Sequence, residues 1–302
     1  MFIYLCEYIF TIKYQDDTIK YIYIFKCAYI HIHIYAQRKD DITMGKVISI
    51  FNQKGGVAKT TTASNLGSAL ARMGKKILLI DSDPQANCTN AVGYMDEDIS
   101  KSLNDLLTLK KITSEHVAAA IMKTKFENLD LLPADISLAQ AEDILRNAIG
   151  GSTFYRDIIK HVIDIYDYIF IDCPPSLGLL PINALTASDR LIIPVYPSYF
   201  SIKGLSDLMN TFELVKEKLN TNLNIMGVVL TKYDGRKNIS KSIRSSLEEV
   251  FGNRVFKTNI RANAQIEYAQ DNQMPVIFFD EKSNGYTDYM NLAQEVLNYE
   301  WQ

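Results

Sequence analysis

The chain has 302 residues, a formal charge of −3 and a pI near 5.9. That length holds one large α/β domain or two small ones, and the acidic balance excludes a protein that attracts nucleic acid through its charge as a whole. Cys6, Cys27, Cys88 and Cys173 form no C-x-x-C pair and no disulfide framework, which points to a reducing cytoplasm, and no run of eighteen apolar residues marks a membrane span.

Residues 1–43 differ from the rest of the chain. They contain no Gly or Pro, and 20 of the 43 are Ile, Tyr or Phe. These residues have AT-rich codons, so the segment reads as translated intergenic sequence, and Met44 reads as the natural start. Arg38-Lys39-Asp40 is compatible with a ribosome-binding-site-like codon run just upstream. The segment follows neither a signal-peptide nor a transit-peptide plan. The alternative is a membrane-surface or partner-binding extension. His31 and His33 have no further ligand near them in sequence.

From Met44 onward, apolar runs alternate with helical patterns. Val47, Ile48 and Ile50 predict a buried strand over 46–52. It breaks at Gly55-Gly56 and leads into a helix over 60–73, ended by Gly74. Strand, glycine turn, Lys-Thr and helix form a phosphate-binding loop. Its glycines allow backbone N–H groups to approach an anion, and the helix N-terminus adds its own. Residues Gly55, Gly56, Val57, Ala58, Lys59, Thr60 and Thr61 are therefore expected to contact a nucleotide. Lys59 serves the β- and γ-phosphates, and Thr60 offers a hydroxyl to Mg²⁺. Ala58 stands where the usual G-K-[ST] loop has glycine, and it is tolerated there if its φ is negative.

Ile77–Ile80 predicts a fully buried parallel strand ending in Asp81-Ser82-Asp83-Pro84. Two carboxylates beside a triphosphate can hold a metal's water shell and orient an attacking water. Helices are predicted at 100–109, 113–122, 136–147 and 152–165, with a strand at 129–132. Tyr168–Ile171 predicts another buried strand, and Asp172 after it fits an acid bound to Mg²⁺ through water. Strands follow at 191–195, 226–230 and 255–260, with helices near 202–218, 238–250, 264–271 and 286–298. This alternation predicts a doubly wound, mainly parallel α/β sheet with helices on both faces. Residues 44–302 read as one domain, with the polar motifs at the carboxyl ends of its strands.

Residues 232–261 carry a net charge of +5 within the acidic chain. Lys237, Lys241 and Arg244 fall at i, i+4, i+7 spacing, which places them on one helix face. The stripe fits phosphate contacts or a solvated face. Thr231-Lys232-Tyr233-Asp234 resembles the base-reading T-K-x-D of signal-recognition-particle-type GTPases, so ATP and GTP both stay open on this segment alone.

The loop K-G-G-V-A-K-T, with Lys54 ahead of the glycines, resembles the deviant Walker A loop of the ParA/MinD family of ATPases. I-D-S-D-P-Q-A-N and D-C-P-P-S-L-G-L-L-P-I-N-A-L-T-A-S-D resemble the corresponding ParA/Soj segments. The resemblance covers about 255 residues from Met44 on and favours ATP with Mg²⁺. It implies a chromosome- or plasmid-partitioning ATPase, found in the cytoplasm on the nucleoid. Lys54 would reach the partner's nucleotide in an ATP-bound sandwich homodimer, and Asp83 would serve hydrolysis, so that Lys54, Lys59 and Asp83 form the catalytic set. Thr60, Asp81 and Asp172 would serve the metal, and Asp234 and Asn263 would join the nucleotide contacts. The dimer would bind DNA non-specifically, and a ParB-like centromere-binding partner would stimulate slow hydrolysis and release it. Arg236 lies where the Soj type has a DNA-binding arginine. Ile260-Arg261-Ala262-Asn263-Ala264-Gln265 stands where many relatives have I-P-R-N-x-R, and Arg261 is expected to replace the arginine lost at Gln265.

Three other readings have identifiable requirements. A MinD-like membrane-cycling ATPase needs a basic amphipathic C-terminal helix, whereas Asn291–Gln302 has no Lys or Arg. A nitrogenase-reductase-like protein needs cluster cysteines in other motifs, and a tyrosine autokinase needs a terminal tyrosine cluster. A non-hydrolysing nucleotide-binding scaffold is the non-enzymatic alternative.

Overall fold

In a computed structural model, which describes residues 44–199 and 201–301, consecutive core residues of each central strand point to opposite faces of one sheet. Residues 1–43, and with them the reading of that segment as translated intergenic sequence or as an extension, lie outside the described residues.

The elements run in chain order. Strand β1 (Lys46–Ile50) leads to α1 (Lys59–Arg72), β2 (Ile77–Asp81) and the short α2 (Asn87–Ala91). Helices α3 (Leu103–Leu107) and α4 (Ser114–Ala120) precede β3 (Met122–Lys123) and β4 (Leu129–Leu132). Then come α5 (Ala141–Asn147), α6 (Phe154–Ile159), β5 (Tyr168–Asp172), α7 (Leu179–Ala187) and β6 (Arg190–Val195). The chain continues through α8 (Ser201–Lys218), β7 (Asn224–Leu230), α9 (Asn238–Phe251), α10 (Ala264–Asp271), α11 (Val276–Phe279) and α12 (Asn284–Leu297).

The sheet order is β3-β4-β2-β5-β1-β6-β7, parallel except for the β3–β4 edge pair. Val47, Leu78, Ile169 and Leu191 join the core on one face; their neighbours Ile48, Leu79, Phe170 and Ile192 join the core on the other. Helices cover both faces, so the central strands read as continuous apolar runs. The fold is thus the expected doubly wound α/β sheet. The register aligns Asp81 with Asp172 and Ile50 with Asp172, placing three strand ends side by side. Because β2 and β6 leave β1 in opposite directions across the sheet, a crevice forms at these carboxyl ends.

Several local expectations are corrected. Residues 255–260 form no strand; only isolated bridges join Val228 to Val255 and Tyr233 to Arg261. The segment hydrogen-bonds to β7 only at Phe256 and Ile260, and between them Lys257 and Thr258 donate to the Glu295 carboxylate of α12. Residues 136–140 form a 3₁₀ turn ahead of α5, and α6 ends at Ile159 rather than near 165. The sequence reasoning missed α7, because Pro181 discourages a helix. The proline sits in the first turn, where its lack of N–H costs nothing.

Gly227 shows how tightly β7 meets the segment after α9. Leu191 pairs with Ile225 and Ile192 with Gly227, leaving Met226 as an extra residue in the ladder. A Cβ on Gly227 would stand 2.5 Å from the Phe256 ring and 2.9 Å from the Arg254 carbonyl oxygen. Gly227→Ala should therefore lower stability by about 1–3 kcal/mol, read as a lower urea midpoint at unchanged slope.

Candidate nucleotide site

The loop between β1 and α1 is pinned before it reaches any ligand. Asn52 donates to the Pro194 carbonyl at 2.8 Å and accepts the Lys54 N–H at 3.0 Å. The Thr231 hydroxyl donates to the Val57 carbonyl at 3.0 Å, holding the loop against the end of β7. Val57 is buried under the loop, while Gly55 and Gly56 have open space where a Cβ would point.

Ala58 has φ +63°, so the condition of a negative φ is not met. The residue takes the left-handed conformation that glycine adopts without strain. In that conformation its carbonyl receives the Thr62 N–H at 2.9 Å and the Thr62 hydroxyl at 2.7 Å, starting α1. Lys59 follows, buried at 7% exposure, with Nζ donating to the Lys54 carbonyl at 3.1 Å.

Beneath Lys59 lies Asp172, 1% exposed, and neither carboxylate oxygen has a hydrogen-bond partner. Burial, then the neighbouring Asp81, push its pKa well above the usual carboxylate range; the Thr60 hydroxyl and Lys59 oppose this. Burial pulls Lys59 below the usual lysine range, against the pull of Asp172, Cys173 and Asp83. An orphaned buried carboxylate beside a threonine hydroxyl and a lysine is a donor set that fits a hydrated Mg²⁺ held against phosphate.

Asp81 is placed differently. Its Oδ2 accepts the Thr89 N–H and hydroxyl, both at 2.8 Å, and its Oδ1 accepts the Asp83 N–H at 3.1 Å. Burial raises its pKa to about 6 despite these bonds. It braces the loop after β2 and does not line the cavity. Asp83 does line it, with one oxygen accepting the Gln85 N–H at 3.0 Å. Ser82, between them, shares a 2.6 Å hydrogen bond with buried Tyr155.

The loop and Asp83 open onto a cavity of about 670 Å³, and Asp172, like Asp81, lies below its wall without lining it. Gly55, Gly56, Ala58, Lys59, Thr60, Thr61 and Asp83 line one part; Lys232, Arg261, Asn263, Gln270 and Tyr289 line another. Gln270 belongs to no motif of the sequence, and neither Thr231 nor Tyr289 is among the expected nucleotide contacts. Gln270 is tied to the loop helix, donating to the Thr61 hydroxyl at 2.9 Å. Asn263 lines the cavity while its Oδ1 caps α10 through the Gln265 N–H at 2.8 Å.

Three expected residues are engaged elsewhere. Asp234 does not line the cavity; its carboxylate accepts the Arg236 N–H at 3.1 Å and both Nε and Nη2 at 3.0 Å, which leaves it ill placed to read a base. Arg244 is 22% exposed, binding Glu248 at 2.8 Å and Asn259 at 2.7 Å, so it fastens α9 to the 256–259 segment. Arg261 is held by Asp288. Arg236, although paired, is 92% exposed, and Lys237 and Lys241 are exposed beside it. Lys54 turns away from its own cavity, and its Nζ donates to the Ser198 hydroxyl at 2.6 Å.

A parallel sheet with this loop at β1, an acid at the end of β5 and helices on both faces defines a P-loop NTPase. Residues 45–225 match the family model described as AAA domain. The sporulation initiation inhibitor protein Soj of Bacillus subtilis is 45% identical over 253 residues, covering 84% of this chain and 98% of Soj. The chromosome partitioning protein ParA of Caulobacter vibrioides is 40% identical over 257 residues, covering 84% and 95%. The septum site-determining protein MinD of Pyrococcus horikoshii, solved with Mg-ADP, superposes with a TM-score of 0.67 at 28% identity, covering 84% of this chain and 96% of MinD. The chain belongs to the Soj/ParA family of partitioning ATPases.

Two outcomes test this geometry. Ala58→Gly should raise stability by about 1 kcal/mol by removing left-handed strain, seen as a higher melting temperature. Asp172 is destabilising when ionised, because its folded pKa lies above its unfolded one. Its penalty is absent below pH 4 or so and grows as pH rises toward the folded pKa. In metal- and nucleotide-free protein, Asp172→Asn should therefore gain on the order of 1–3 kcal/mol at pH 8 and little at pH 4, measured by thermal melts across pH.

Proposed function

We propose that this protein binds ATP with Mg²⁺ in the cavity, hydrolyses it slowly, and uses the bound state to form a DNA-binding dimer that partitions a chromosome or plasmid. The observation that carries the reading is the orphaned Asp172 carboxylate buried beneath Lys59 and Thr60 of a phosphate loop. The loop N–H groups and Lys59 bind the phosphates. Thr60 and, through water, Asp172 hold the metal, which when bound neutralises charge on the phosphate oxygens. Asp83 lines the cavity and orients the attacking water, while Asp81 keeps the loop that carries Asp83 in place. With Asp234 committed to Arg236, the reading favours adenine over guanine.

In the dimer, Lys54 leaves Ser198 and reaches the partner's phosphates. Arg236, Lys237 and Lys241 supply sequence-independent contacts to DNA phosphates, and a ParB-like protein stimulates hydrolysis, with the ATPase working on the nucleoid. The MinD-like alternative has less support. Among the described residues no helix is long and apolar enough to cross a membrane. Helix α12 carries no Lys or Arg, and its Tyr289, Leu292 and Val296 face is buried.

DNA co-sedimentation without nucleotide, with ADP and with ATP tests the switch. Binding should require ATP, disappear in Lys54→Ala, persist in Asp83→Ala, and weaken steeply with salt. Binding that ignores nucleotide would overturn the reading, and the absence of turnover with DNA and partner present would favour the scaffold alternative.

A further inference from the structure

The segment 255–263 carries part of the cavity wall and runs beside β7 and the residues that follow it. Phe256 donates to the Val228 carbonyl at 2.9 Å and Ile260 to the Leu230 carbonyl at 2.8 Å, while Tyr233 donates to the Ile260 carbonyl at 2.9 Å and accepts the Ala262 N–H at 3.4 Å. A further hold comes from α12. Glu295 accepts the Lys257 and Thr258 N–H groups at 2.9 and 2.7 Å. Seven residues earlier on the same helical face, Asp288 accepts the Arg261 N–H at 2.9 Å. Asp288 also takes the Arg261 guanidinium in a two-pronged pair, with Nε at 3.0 Å and Nη2 at 2.6 Å. Asp288 is buried at 5% exposure, and Arg261 reaches it from the cavity edge.

The position of Arg261 is informative. Arg261 brings a backbone N–H donor as well as a charged side chain, and each needs a partner. Asp288 meets both needs, satisfying the N–H and clamping the side chain of the same residue. A forked pair of this kind also has strict geometry.

We infer that Asp288 and Arg261 are positioning residues for the nucleotide: an ionic brace from the C-terminal helix sets the 261–263 wall. The inference rests on reading the cavity as a nucleotide site. It assigns Arg261 to nucleotide affinity rather than to DNA. It also makes the C-terminal helix part of the nucleotide site without any direct contact to the phosphates.

The test is calorimetric titration of the full chain with ADP and Mg²⁺, alongside steady-state ATPase rates and melting temperatures. Asp288→Asn and Arg261→Ala should each weaken ADP binding by about tenfold, or about 1.4 kcal/mol. The double variant should cost little more than either single one. KM for ATP should rise in parallel while kcat stays within about twofold, since no group at the reacting phosphate has moved. Unchanged affinity with a lowered melting temperature would show a purely structural pair and overturn the inference, as would a kcat that falls with affinity. A parent protein that binds no ADP, or a Lys59→Ala variant that binds it normally, would instead overturn the nucleotide reading itself.

Discussion

Asp81 and Asp172 end neighbouring parallel strands in the same register, and both are buried. Two carboxylates so placed raise each other's cost of ionisation, and burial adds to it. The fold resolves the conflict by treating them unequally. Asp81 receives three hydrogen bonds, one from the loop it introduces and two from Thr89 of α2. Asp172 receives none, and only Lys59 and the Thr60 hydroxyl favour its charge. A carboxylate left in this state is poor for stability and good for capturing a hydrated cation. The phosphate loop is therefore built around a deficit that its proposed ligands would fill.

The loop helix α1 is the element through which that site meets the rest of the chain. Asn65 of α1 accepts the Val276 N–H at 2.7 Å, and Arg72 donates to the Ile277 carbonyl at 3.2 Å and pairs with Glu281. Gln270 reaches Thr61 from α10. Residues near the C-terminus are thus fastened to the helix that begins at the phosphates. Any tilt of α1 must be shared by α10 to α12, because close-packed elements transmit strain rather than absorb it. Nucleotide occupancy and the exposed basic residues at the start of α9 then have a continuous physical connection through the 255–263 segment.

Much of this was legible in the sequence because its signals are local. Ile77–Ile80 and Tyr168–Ile171 are continuous apolar runs, and a strand covered on both faces has that pattern. The loop from Lys54 to Thr61 is contiguous, so its strand, turn and helix could be read together. What escaped depends on partners distant in sequence. Residues 255–260 look like a strand, but Lys257 and Thr258 find acceptors on Glu295, 38 and 37 residues away. Arg244 and Arg261 look like unpaired charges until Asn259 and Asp288 are placed beside them. Asp81 resembles a metal acid until Thr89 folds back on it. Periodicity reports which side of an element is apolar and says nothing about which polar group will meet another across the fold.

Lys54 follows the same logic at the edge of the molecule. Within one chain its backbone carbonyl serves Lys59, but its ammonium points to Ser198 and contributes nothing to its own cavity. A hydroxyl partner of this kind is worth only about 1 kcal/mol net in partly exposed surroundings, whereas a phosphate in a closing interface offers a charged acceptor in a drier medium. In the proposed dimer, a second lysine held by a bond weak enough to give up would be suited to a nucleotide bound by another copy. Under the proposed dimer, the departure of Lys54 from Ser198 is the step at which binding in one chain becomes a contact between two.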